Sequence, residues 1–143
     1  MYTEDGTVEL DNGQEQLRWH IDSEWLEANK RSSFALARSS LCPKCLKRFD
    51  SGKPKSFDDI LATVRDCCSK EPEFISGGLP IMESVFRIFL ANGNQPLDLI
   101  ELGRQLSEQR GVDTYRTSVE MLSRLLKRDE YYGIRPVKPD SEE

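Results

Sequence analysis

Apolar and polar positions alternate most regularly in the second half of the chain. Met82, Val85, Phe86, Phe89 and Leu90 recur at steps of three and four, which predicts an amphipathic helix closed by Asn92-Gly93. Pro96-Leu97-Asp98 opens a second helix with Leu99, Leu102 and Leu106 inward and Gly111 as its stop. Thr117 with Glu120 reads as a capping box for a third helix, whose inward stripe is Val119, Leu122, Leu125 and Leu126. The run Tyr131-Tyr132-Gly133-Ile134-Arg135-Pro136-Val137 predicts a turn followed by a short strand.

The first half is patterned less clearly. Residues 1–16 are polar, with Asp5-Gly6 and Asn12-Gly13 as turn signals, and read as a disordered arm or a short hairpin. Asp22 or Ser23 can cap a helix running to about Ser40, although Trp25, Leu26, Phe34 and Leu36 keep an imperfect period. A tight turn, Cys42-Pro43-Lys44-Cys45, leads into a basic loop with Lys47, Arg48, Lys53 and Lys55. Ser56 and Asp59 form a capping-box variant for a helix with Phe57, Ile60, Leu61, Val64, Cys67 and Cys68 on one stripe, and Pro72 must end it. The expected organisation is an arm (1–20), a helical metal-binding region (21–75), a linker at 76–81 around Gly77-Gly78, a three-helix module with a short β-wing (82–138) and a polar tail (139–143). The fold class is mainly α.

The four cysteines are the strongest chemical signal. Two cysteines two residues apart, with a proline between them, converge their sulfurs on one point, as half of a tetrahedral Zn²⁺ site requires. Cys67 and Cys68 follow after 21 intervening residues and can supply the other half. On a continuing helix adjacent side chains diverge by roughly 100°, so both reach one metal only if the helix frays there, as Ser69 and Pro72 permit. The expected ligands are Cys42, Cys45, Cys67 and Cys68, around a structural zinc. Two other readings stay open. His20, the one histidine, can replace one cysteine, or Cys67 or Cys68 can simply extend the apolar stripe of its helix. Nothing in the pattern is specific for an iron–sulfur cluster.

The 143-residue chain is 37% hydrophobic and 31% charged, enough for one domain or two small ones. Glu83 and Arg87 interrupt its longest apolar stretch, so no membrane association is expected. No apolar signal segment is visible at the N-terminus, so a cytoplasmic location is expected, where thiols are reduced or hold metal. A Gly-rich phosphate loop, a G-x-S-x-G elbow and H-E-x-x-H are all absent, and acid–base chemistry would rest on His20 alone. These features point away from an enzyme and imply no small-molecule substrate.

The stretch Phe89-Leu90-Ala91-Asn92-Gly93, then Gln95-Pro96-Leu97, then Thr117-Ser118-Val119-Glu120-Met121-Leu122 resembles winged helix-turn-helix modules of the HARE type. That resemblance covers the C-terminal half only. It implies nucleic-acid or protein recognition, usually in transcription, with the third helix entering the major groove of double-stranded DNA. Arg116, Arg124, Lys127, Arg128 and, on the wing, Arg135 are the candidate contacts, and Tyr131 and Tyr132 could contact the sugar–phosphate backbone. The bland reading is an ordinary solvated helix face, since Glu120 stands four residues before Arg124 and Asp129 and Glu130 dilute the patch. The net charge of −5 disfavours indiscriminate DNA binding, because phosphate contacts supply that affinity. The other expectation is a protein–protein adaptor, or a small subunit of a larger assembly, with the same module as its docking surface.

Overall fold

The computed structural model describes residues 17–51, 56–111 and 117–137. Among them run β1 (Arg18–Ile21), α1 (Ser23–Ala28), α2 (Ser33–Arg38), α3 (Pro43–Ser51), α4 (Phe57–Asp66), a 3₁₀ turn at Cys68–Lys70, α5 (Ile81–Ala91), β2 (Leu97–Asp98), α6 (Leu99–Arg110), α7 (Val119–Arg128) and β3 (Ile134–Pro136). The protein is therefore mainly helical with a small sheet. Among the described residues no helix is long and apolar enough to cross a membrane.

The sheet has the order β2-β1-β3, and both pairings are antiparallel. Its central strand comes largely from the segment expected to be a flexible arm, of which residues 1–16 lie outside the described residues. Trp19 and Ile21 point into the core and Arg18 faces solvent, the period-two pattern of a half-buried strand. Trp19 faces Leu97 on one side and Pro136 on the other, and Ile21 faces Ile134. Ahead of β2 in the chain, the Asn94 side chain takes over as a partner of β1. Its Oδ1 accepts from the Ile21 N–H at 2.8 Å, and its Nδ2 donates to the Ile21 carbonyl at 2.9 Å.

The single helix expected from Asp22 to Ser40 is two. Asp22 caps α1 by accepting from the Trp25 N–H, and Ser32 caps α2 by accepting from the Ala35 N–H. Between them Lys30 has φ +64°, which stops a right-handed helix. Two short helices with separate inward faces explain the imperfect period. The Cys-Pro-Lys-Cys segment opens α3, with Pro43 at its first position, so Lys47 and Arg48 are helical and not in a loop. Lys53 and Lys55 lie outside the described residues. The Ser56/Asp59 capping box is present on α4, with both reciprocal hydrogen bonds.

α7 starts one residue later than expected. Ser118 is its cap, accepting from the Met121 N–H at 3.2 Å. The buried Thr117 hydroxyl instead bonds Ser107 Oγ of α6 at 3.0 Å. A tertiary partner has taken the hydroxyl that the local pattern assigned to the cap.

Contacts cross the expected linker at 76–81. One hydrophobic cluster runs from Trp19, Leu26 and Ile60 through Phe86, Leu102, Leu122 and Ile134, so residues of both halves share a core. The segment 76–79 is stitched to the end of α6 by Arg110. Its guanidinium donates to the carbonyls of Ser76, Gly77 and Leu79 and to Ser84 Oγ, which caps the freed backbone with a buried charge.

Candidate metal centre

The cysteines come together where α3 begins and α4 ends. Cys42 precedes the Pro43 that starts α3, and Cys45 lies in its first turn, where the helix dipole favours negative charge. α4 stops at Asp66. Cys67 leaves the helix with φ −135° and ψ −65°, and Cys68 begins the 3₁₀ turn. That break removes the divergence a continuing helix would impose on neighbouring side chains. All four Sγ atoms lie within 4.8 Å of one another, and all four thiols are free of disulfides. Four cysteines so placed could hold a metal ion.

Two nitrogen donors reach sulfur in the cluster. The Cys42 N–H donates to Cys68 Sγ at 3.2 Å, and the Arg48 guanidinium reaches Cys45 Sγ at 3.6 Å. Cys45 and Cys68 are sealed from solvent, while Cys42 and Cys67 are half-buried. Burial opposes ionisation of Cys42. The Cys45 N–H and hydrogen bonds with the other three thiols outweigh it and bring Cys42 down to about 7. Burial pushes Cys45 up to about 12, reinforced by its hydrogen bonds with the other three thiols. Burial also raises Cys68, against the pull of the Cys42 N–H. Without metal, the proton leaves Cys42 first, and a divalent ion has to displace the rest.

His20 is not part of this cluster. It sits on β1 opposite Arg135, and burial lowers its pKa against the pull of the Asp22 carboxylate.

The candidate nucleic-acid residues separate into three groups. Arg124, Lys127 and Arg128 are exposed together on α7, whose opposite side buries Leu122 and Leu126. Arg135 is half-buried. Its guanidinium lies 4.4 Å from the Trp25 ring centroid and donates to the Asp129 carbonyl, so it holds the fold at that point. Arg116 lies outside the described residues.

Arg31, which the sequence reading did not single out, stands 4.7 Å over the ring of Tyr131. Trp25, Asn29, Arg31, Glu130 and Arg135 line an open notch there. No local pattern signals it, because its walls are about a hundred residues apart in the chain. Compared with known proteins, the chain matches no family model, no curated protein and no solved structure.

Proposed function

We propose that the protein is a zinc-stabilised, non-catalytic DNA-binding regulator, associated with transcription, whose reading helix is α7. The observation that carries the reading is the division of α7 into two faces. Leu122 and Leu126 anchor it in the core, while Arg124, Lys127 and Arg128 stand together in solvent. A helix held rigidly by one side and cationic on the other suits phosphate and base-edge contact in a major groove. The order helix, strand, helix, helix, strand over α5, β2, α6, α7 and β3 supports a winged-helix arrangement. β1 then serves as the third strand, in place of one following the wing.

Zinc is favoured by the donor set. A tetrahedral Zn²⁺ at about 2.3 Å from each sulfur sets the sulfurs about 3.8 Å apart, a contraction of an ångström or less from the present spread. Four thiolates fill the tetrahedron and leave no position for a substrate, which supports a structural role. The metal would join α3 to α4, both built from short or weakly apolar segments. Free thiols suit a reducing compartment such as the cytoplasm.

A second reading is a docking module for a protein partner, which would use large apolar side chains left exposed, such as Ile100 on α6 and Tyr131. One set of measurements separates the two. Elemental analysis of natively purified protein is expected to give about one zinc per chain, and Cys45→Ser to lose it. Duplexes selected from a randomised library should bind the wild type, and an Arg124→Ala/Lys127→Ala/Arg128→Ala variant should lose most of that affinity. Equal binding by both proteins rules out α7 as the reader. Failure to select any duplex favours the docking reading.

A further inference from the structure

Resting on that reading, we infer that the DNA-contacting surface continues beyond α7 onto the N-terminal half, where Arg31 and Tyr131 form a clamp for the phosphodiester backbone. The clamp is held from below. Tyr131, 49% exposed, packs edge-on against Tyr132 at 4.8 Å, and Tyr132 packs on the buried Phe86 at 5.0 Å. Asp129 locks the intervening backbone by accepting from the N–H groups of Tyr131, Tyr132 and Ile134 at 2.9–3.0 Å. The Arg31 guanidinium therefore lies on a ring that is itself fixed to the core. A guanidinium held over a ring can still present N–H groups to a ligand, and the contact limits its rotamer freedom before any ligand arrives. That edge matches a phosphate in two-point geometry.

Charge and distance agree with this ligand. Two arginines, Arg31 and Arg135, line the notch against one acid, Glu130. The neighbouring Asp129 carboxylate is buried, bound by three backbone donors, and does not line the notch. Arg128, the last residue of α7, stands three residues before Tyr131, a chain reach of at most about 11 Å. Along one strand phosphates recur every ~3.4 Å of helix axis, so a single backbone can pass from the end of α7 to Arg31 within a few nucleotides. The clamp also couples the two halves. Arg31 joins α1 to α2, and α2 packs on α4, whose end leads into Cys67 and Cys68.

The test uses full-length, zinc-loaded protein and a fluorescein-labelled duplex selected on the wild type, with anisotropy titrations over a range of salt. Arg31→Ala should weaken binding roughly tenfold and flatten the plot of log K against log salt by about one unit, the loss of one phosphate contact. Glu130→Gln should tighten binding, a gain that misfolding cannot imitate. Wild-type affinity and slope in both variants, with binding lost in the α7 triple variant, overturn the clamp and leave α7 as the reader. Weakened binding by Arg31→Ala with an unaffected triple variant supports the clamp and removes α7. If the wild type binds no duplex, the clamp falls together with the reading beneath it.

Discussion

Gly133→Ala tests whether the two halves share one core. Gly133 has φ +74°, and its carbonyl accepts from the Asp22 N–H at 2.8 Å. A Cβ there would stand 2.5 Å from Leu26 Cγ and 2.9 Å from both of its methyls. Leu26 is fully buried, the anchor of α1, and cannot swing into solvent. An alanine held in the left-handed region costs about 1–2 kcal/mol. Forcing a methyl into a packed site adds about 1–3 kcal/mol. The expected loss is thus about 2–5 kcal/mol, a large part of the roughly 5–15 kcal/mol available to a protein of this kind. Gly93→Ala is the control, since its φ is +77° with nothing within 4 Å of the added Cβ. It should cost the backbone term alone. The assay is urea unfolding of zinc-loaded protein, followed by tryptophan fluorescence and circular dichroism. Trp19 lies in the core beside β3, and Trp25 lies under Arg135. Both probes should report one transition, with Gly133→Ala shifted further than Gly93→Ala. Equal shifts would refute the packing of Leu26 against Gly133, and two separate transitions would refute the shared core.

Two further outcomes follow from the same contacts. Arg110→Met should lower stability by about 2–4 kcal/mol, because it leaves the carbonyls of Ser76, Gly77 and Leu79 without their charged donor; limited proteolysis should then cut at 76–80 far faster than in the wild type, and an unchanged cleavage rate would remove the staple. In metal-free protein, iodoacetamide should label Cys42 first, with a rate rising through a midpoint at about pH 7. The sign for stability follows. Cys42 is lowered from 9.0, so its contribution is present above pH 9 and lost as pH falls through about 7. Cys45 is raised to about 12, so its contribution is present below pH 9 and lost as pH rises toward 12. Tandem mass spectrometry locating the first alkylation on Cys45 or Cys68 would contradict this order.

Features set by neighbours in the chain could be read from the sequence. The Ser56/Asp59 capping box, the inward stripe of α5, the stop at Asn92-Gly93 and the paired Cys42 and Cys45 each depend on spacings of three or four residues. Helical backbone geometry converts such spacings directly into contacts. Cys67 and Cys68 were legible as candidates, but their convergence with the first pair depends on a helix end that local signals only permit. Tertiary structure decided the rest. β1 has only two inward side chains, too few to show a period, and its partners Leu97 and Ile134 lie far along the chain. Thr117 carried a capping signal, yet Ser107 offered its hydroxyl a buried partner and Ser118 took the cap. Arg135 looked like a surface cation, and stacking on Trp25 with a bond to the Asp129 carbonyl made it part of the scaffold. Arg31 drew no notice in a polar loop until Tyr131, a hundred residues on, was packed beneath it. In each case the competing partner is distant in sequence, and only the packed core brings it within a few ångströms.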